Sequence, residues 1–242
     1  MKNFGLLGRN IDYSFSKPYF EKKFTNEGIE ATYQNFDISD LSELKNILNS
    51  NPDLNGLNVT IPYKEEIIKH LDEIDESAKR IGAVNVIKIE KGKTKGYNTD
   101  IYGFTKSFFP LIENHHHKAL ILGSGGASKA IKKALISMGF ETQIVSRTAA
   151  EGVLTYDDLN AEIMKDHQVI VNCTPLGTHP NIENHPQIPY KYLSHKHLLY
   201  DLVYNPPITT FLALGKEHDT KVYNGQKMLE FQAEKAWEIW HQ

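Results

Sequence analysis

The stretch Ala119-Leu120-Ile121-Leu122-Gly123-Ser124-Gly125-Gly126-Ala127-Ser128 sends an apolar run straight into a glycine-rich turn. A dinucleotide pyrophosphate needs a tight turn, backbone close enough to touch, and helix N-terminal amides facing the anion. Gly123 and Gly125 meet the first two needs, and a helix after Gly126 meets the third. Ser128 stands where the third glycine of G-x-G-x-x-G would be, so the motif draws its force from its strand-turn-helix context. Sites for NAD carry a carboxylate about 20 residues further on, to bind the ribose 2′-hydroxyl. Here the second strand ends in Val145-Ser146-Arg147-Thr148, without an acid. A guanidinium beside small hydroxyl residues suits a 2′-phosphate, so NADP(H) is favoured over NAD. The alternative is that Arg147 is a solvated loop cation.

A second constellation precedes residue 115. Ser14-Phe15-Ser16 offers two hydroxyls on one side of an extended segment, able to hold a carboxylate. Gly56-Leu57-Asn58-Val59-Thr60-Ile61-Pro62-Tyr63-Lys64 reads as a strand ending in polar groups, with Lys64 just past a proline stop. Gly82-Ala83-Val84-Asn85 and Gly96-Tyr97-Asn98-Thr99-Asp100 each add a carboxamide, and the latter a carboxylate. Polar groups gathered at carboxyl ends of strands are where α/β sites form. Each has a structural alternative, Asn98 or Asp100 as a helix cap and Lys64 as a solvated helix start. Two features point elsewhere. His115-His116-His117 are consecutive and lack spaced partner ligands, so a metal site is not expected. Cys173, after an apolar strand, reads as a small buried residue rather than a nucleophile.

The elements that must position these groups alternate along the chain. Strands are expected at 3–7, 32–36, 57–61, 84–89, 119–122, 142–145, 169–172 and 198–203. Helices are expected from about Pro18 to Asn26, over 39–50, 64–71, 101–112 and 127–138, and from 225 to the end. Short apolar runs alternating with helical periodicity predict an α/β chain with largely parallel strands. Glu113 to Lys118 is polar and marks a boundary between two domains. Of the 242 residues, 40% are apolar and 24% charged, with a net charge of -3. That balance gives no electrostatic reason to expect nucleic-acid or membrane partners. No run approaches the roughly 18 apolar residues of a spanning helix. A single cysteine cannot form an internal disulfide, so a cytoplasmic location is expected. The composition is equally compatible with a monomer or a homodimer.

Taken together, Ser14-Phe15-Ser16, Asn58 to Lys64, Gly82 to Asn85, Asn98-Thr99-Asp100, Gly123 to Ser128, Ser146-Arg147-Thr148, Asp201-Leu202-Val203-Tyr204-Asn205-Pro206 and Gly225 to Gln232 resemble, in order, the motifs of the shikimate dehydrogenase (shikimate/quinate dehydrogenase) family. The resemblance covers essentially the whole chain. It implies an N-terminal α/β substrate-binding domain over 1–112, a Rossmann-like NADP-binding domain over 113–224, and a terminal helix, 225–242, packing back on the first domain. It also implies reversible NADPH-dependent reduction of 3-dehydroshikimate to shikimate, in the aromatic amino acid pathway. Lys64 and Asp100 would be the catalytic pair and would also bind substrate. Ser14, Ser16 and Tyr204 would hold the carboxylate, and Thr60, Asn85 and Gln232 the ring hydroxyls. Gly123, Ser124, Gly125, Gly126, Ala127, Ser146, Arg147 and Thr148 would hold the cofactor phosphates, with Leu202 and Gly225 at the nicotinamide. No metal is required, because the cofactor carries the redox chemistry. Two departures stand out. The family's His-Ser-x-Ser-Pro becomes Tyr13-Ser14-Phe15-Ser16-Lys17-Pro18, and Ala149-Ala150 replace a further basic residue after Thr148. The motifs leave open an NAD(P)-dependent quinate or aminoshikimate dehydrogenase, or a catalytically silent NADP-binding regulator.

Overall fold

The computed structural model describes residues 2–12 and 14–242; Tyr13 lies outside the described residues. Contacts divide the chain into two units, residues 1–99 with 233–242, and residues 100–232.

The first unit is built on a six-stranded mixed sheet. Its elements are β1 (Lys2–Gly8), α1 (Ser16–Glu27), β2 (Ala31–Asp37), α2 (Leu44–Ser50), β3 (Leu54–Val59), β4 (Glu73–Ile74), α3 (Glu76–Ile81), β5 (Val86–Glu90) and β6 (Lys93–Tyr97). The strand order is β2-β1-β3-β5-β6-β4. β1 pairs parallel with both β2 and β3, whereas β5 runs antiparallel to β3 and β6. Five of the six strands thus share one direction, as expected, and β5 alone opposes them. The reversal comes from a two-residue turn, Lys91-Gly92, with φ of 51° and 76°. Two successive left-handed residues match the twist of a tight hairpin.

Two apolar clusters cover the sheet. One gathers Leu7, Leu57, Val59, Ile67 and Ile87. The other joins Phe4, Phe20, Phe24 and Tyr33 to Ala233, Ala236 and Trp240. Trp240 stacks on Phe4 at 4.6 Å, and its indole N–H donates to the Ile87 carbonyl at 3.0 Å. Gly56 leaves room for that ring; a Cβ there would strike the indole.

The second unit contains α4 (Asp100–Phe108), β7 (Lys118–Leu122), α5 (Gly126–Ser137), β8 (Glu141–Val145), β9 (Val153–Leu154), α6 (Ala161–Asp166), β10 (Val169–Asn172), β11 (Leu198–Asp201), α7 (Thr210–Lys216), β12 (Lys221–Tyr223) and the first part of α8 (Gln226–Trp240). Its sheet is parallel throughout, in the order β12-β11-β10-β7-β8-β9. That is the doubly wound order, with its topological switch between β7 and β10. β7, β10 and β11 are buried along nearly their whole length, as expected for strands covered on both faces. Phe104, Phe108, Ile121, Ile131, Val171 and Tyr200 form the core on the α4 and α5 side.

Two sequence expectations change for identifiable reasons. The helix expected over 64–71 is only a 3₁₀ segment, Glu66–His70. The Lys64 carbonyl, which an α-helix would give to residue 68, accepts from Val84 N–H at 2.7 Å instead. The strand expected over 198–203 stops at Asp201, because Val203 N–H turns back to the Asp201 carboxyl at 3.0 Å.

Candidate active site

In the first unit, three of the polar segments are stitched together at one end of the sheet. Thr60 N–H donates to Leu7 at 2.9 Å, carrying the β1–β3 pairing past the end of β3. Val59 N–H donates to the Asn85 carbonyl at 2.8 Å, and the Val84–Lys64 bond lies just beyond. Asn85 is 3% exposed, and both ends of its carboxamide bond to Thr99. Its oxygen accepts Thr99 N–H at 2.7 Å, and its nitrogen donates to the Thr99 hydroxyl at 3.0 Å. Asn98 donates to the Ala83 carbonyl at 3.0 Å. Asn98 and Asn85 thus tie 82–85 to 96–99, while the backbone ties 82–85 to 58–64. Ser14 and Ser16 are half-buried before and at the start of α1, with Ser16 N–H directed to the Ser14 hydroxyl at 3.3 Å. Ser14, Ser16, Thr60, Lys64 and Asn85 therefore all belong to this unit.

Asp100, Tyr204 and Gln232 belong to the second unit. Asp100 opens α4 and is 1% exposed. One turn later, Gly103 lets α8 approach: a Cβ there would meet the Met228 carbonyl and the Gln232 side chain. Gln232 therefore packs on the helix that Asp100 begins.

The glycine turn follows β7 directly. Gly123 has φ +109°, a conformation that L side chains rarely adopt, and its N–H donates to Val145 at 2.8 Å. Gly125 caps the twelve-residue α5 in an extended conformation, and a Cβ there meets no described atom within 4 Å. Ser128 is buried, and its hydroxyl donates to the Gly125 carbonyl at 2.6 Å. A small residue, free helix amides and open space beside Gly125 fit a phosphate group. Arg147 and Thr148 are exposed beyond β8, and residues 146–150 carry no acid. That chemistry fits a 2′-phosphate better than a bare ribose. Leu202 N–H donates to the Asn172 carbonyl at 2.9 Å, and Gly225 N–H donates to the Val203 carbonyl at 3.2 Å. A Cβ on Gly225 would collide with the Leu202 carbonyl. Leu202 and Gly225 are thus neighbours beyond the ends of β11 and β12.

The histidine run makes no metal cluster: among the described residues no group of three His, Cys, Asp or Glu could hold an ion. His115 and His116 both lie against the Lys196 carbonyl, at 3.1 and 3.2 Å. Cys173 is half-buried against the unit core, and burial pushes its thiol well above the usual range. No helix is long and apolar enough to cross a membrane, among the described residues.

The family model for the shikimate dehydrogenase substrate binding domain matches residues 6–87. A protein of Methanococcus vannielii named shikimate dehydrogenase (NADP(+)) is 37% identical over 257 residues, covering 98% of this chain and 90% of that protein. The crystal structure of shikimate dehydrogenase from Aquifex aeolicus superposes with a TM-score of 0.89 at 34% identity, covering 99% of this chain and 92% of that one. The Thermus thermophilus enzyme, crystallised with NADP(H) and shikimate, gives 0.88 at 30% identity, covering 99% and 93%. The chain belongs to the shikimate dehydrogenase family.

Within this shikimate dehydrogenase family chain, two polar centres have no role assigned from the sequence. Asp201 ends β11 fully buried, and its carboxyl accepts from Thr209 at 2.6 Å, Asn172 at 2.9 Å and Val203 N–H. Burial pushes it up to about 7, against the pull of those three donors. Asn172, paired with Leu122 across the switch point, also accepts from Thr174. The signal was available: single polar residues closing the apolar runs Val169-Ile170-Val171 and Leu198-Leu199-Tyr200. The second centre is Tyr33, in the middle of β2. Its hydroxyl donates to the Asn58 carboxamide oxygen at 2.7 Å and lies beside the Ser16 side chain. Its sequence neighbours, Thr32, Gln34 and Asn35, form no motif that marks it.

Proposed function

We propose that this protein catalyses the reversible, NADPH-dependent reduction of 3-dehydroshikimate to shikimate. The observation that carries the reading is the likeness over 98% of the chain to a relative named for that NADP-dependent activity. The site chemistry supports it. When bound, the nicotinamide supplies the reducing equivalent. The chain's own residues must then bind the acid, hold the ring and deliver a proton. Ser14 and Ser16, with Tyr204, hold the carboxylate; Thr60, Asn85 and Gln232 hold the ring hydroxyls. Lys64 protonates the oxygen as negative charge develops there, and an ammonium both donates and stabilises. Asp100 orients that lysine and the substrate hydroxyl. The Gly123–Ala127 turn, with Ser124, Gly125 and Gly126 between, receives the pyrophosphate. Ser146, Arg147 and Thr148 receive the 2′-phosphate, and Leu202 and Gly225 flank the nicotinamide.

By function, the chain divides into a substrate part over 1–112, a cofactor part over 113–224 and the terminal helix. Its partners are small molecules and its compartment the reducing cytoplasm, which a lone cysteine supports. The test is absorbance at the reduced-nicotinamide band with shikimate or quinate, each offered NADP⁺ or NAD⁺. Shikimate with NADP⁺ is expected to give the largest kcat/KM. Faster turnover of quinate, a preference for NAD⁺, or no turnover with any pair would overturn the reading.

A further inference from the structure

Tyr33 lies on a strand that carries none of the motif residues, yet its hydroxyl reaches Ser16, one of the groups assigned to the substrate carboxylate. β2 and β3 flank β1 on opposite sides, and Tyr33 and Asn58 lie opposite Phe4 and Leu6 of that strand. Two residues apart along β1, those partners point to the same face, so the phenol spans the central strand to meet Asn58. The ring is fixed first. It is 3% exposed and stacks on Phe20 of α1 at 4.7 Å with an interplanar angle of 11°. Burial holds the phenol protonated, so it acts as a donor. Donation to the Asn58 oxygen decides which way that carboxamide turns, aiming its nitrogen toward the Asn85 carbonyl, 3.5 Å away. Beside the same phenol lies Ser16, whose N–H in turn engages Ser14. A single hydroxyl thus links the Ser14-Phe15-Ser16 segment to the 58–64 segment.

We propose that Tyr33 is a positioning residue for substrate: it sets the Asn58 carboxamide and backs the Ser16 hydroxyl, fixing the carboxylate end of the site before substrate arrives. The proposal rests on the reading that Ser14 and Ser16 hold the carboxylate.

Tyr33→Phe removes the hydroxyl and keeps the stacked ring. Steady-state kinetics should show the KM for shikimate raised about tenfold, the loss expected for one supporting hydrogen bond. kcat should stay within about twofold of wild type, and the KM for NADP⁺ should not move. A purely structural role would lower active enzyme without splitting the two KM values. Ser16→Ala, assayed in parallel, separates the levels of the argument. If it raises the shikimate KM and Tyr33→Phe does not, the positioning role is overturned while the carboxylate reading survives. If Ser16→Ala leaves the shikimate KM unchanged, the carboxylate reading falls and takes the proposal with it. The double variant Tyr33→Phe/Asn58→Ala should lose less than the sum of the two single losses, because the Asn58 arm is already gone; full additivity would equally overturn the proposal.

Discussion

Asp201 shows how much chemistry one buried side chain can hold without touching a reactant. Its raised pKa means that the native state keeps a proton the unfolded chain would release. The contribution of this group to stability therefore falls as pH rises from the ordinary carboxylate range to about 7, then levels off. Asp201→Asn removes the buried charge and keeps the shape. Urea denaturation should find the variant gaining on wild type between pH 5 and 8 by on the order of a few kcal/mol. A constant difference across that range would show that the carboxylate stays ionised throughout. At Lys64 the expectation is kinetic. Lys64→Ala should lower kcat by about 10²–10⁴-fold, the usual loss of a positioned acid, with NADP⁺ affinity unchanged in a fluorescence titration. An active Lys64→Ala enzyme would remove the lysine from the mechanism. Most candidate residues were legible in the sequence because their chemistry is local: Gly123 and Gly125 in a turn, Asn85 after a glycine, Arg147 at a strand end. Tyr33 was not, because its partners lie 17 and 25 residues away and meet it only through strand order.

At the scale of elements, the apolar strands were the easiest to read, and β7, β8 and β10 fall within one residue of expectation. Boundaries failed where a tertiary hydrogen bond competed with local periodicity, as at Lys64 with Val84 and at Asp201 with Val203. Two-residue strands such as β4 and β9 carry no period to detect, and β6, Lys-Thr-Lys-Gly-Tyr, is too polar to announce itself. The helix expected over 39–50 forms only in part. Asp40 and Glu43 form a reciprocal capping box, but the first turn is 3₁₀, with α2 starting only at Leu44. A close contact between elements joins β3 to the end of α8, where Gly56 faces the Trp240 ring. Gly56→Ala should cost about 1–3 kcal/mol by forcing that ring aside. Trp240→Phe should cost about 2–4 kcal/mol, since it opens a void and leaves the Ile87 carbonyl without its donor. Both are read by chemical denaturation, and a neutral Gly56→Ala would mean the ring has room to move.

For the whole molecule, composition and alternation specified two α/β units, and the polar stretch at 113–118 suggested where they part. By contact the first unit ends at Thr99 and regains the chain at Ala233, which no local composition reveals. Acid sensitivity belongs to this scale, because it is distributed over the second unit. His116 accepts Glu113 N–H on Nδ1 and lies against the Lys196 carbonyl, with His115, His117 and His197 nearby. His197 accepts Ser194 N–H on Nδ1 and lies against the Met164 carbonyl. Each ring is thus held neutral, and burial lowers both pKa values. The folded state takes up these protons later than the unfolded chain, so their contribution is intact above about pH 6.5 and declines as pH falls below it. This loss opposes the gain from Asp201 over the same window, so the readout is a difference: the Tm of His197→Gln should gain on that of wild type between pH 7 and pH 5. An unchanged difference across that range would clear this histidine of the effect. Finally, Trp240 and its neighbours close the core of a unit whose other residues are synthesised well before them. Residues 100–232 must be translated before that lid on the core exists, a wait on the order of ten seconds on the ribosome. Through that interval the nascent leading half exposes Phe4, Phe20 and Phe24, and chaperones have their clearest opportunity to engage it there.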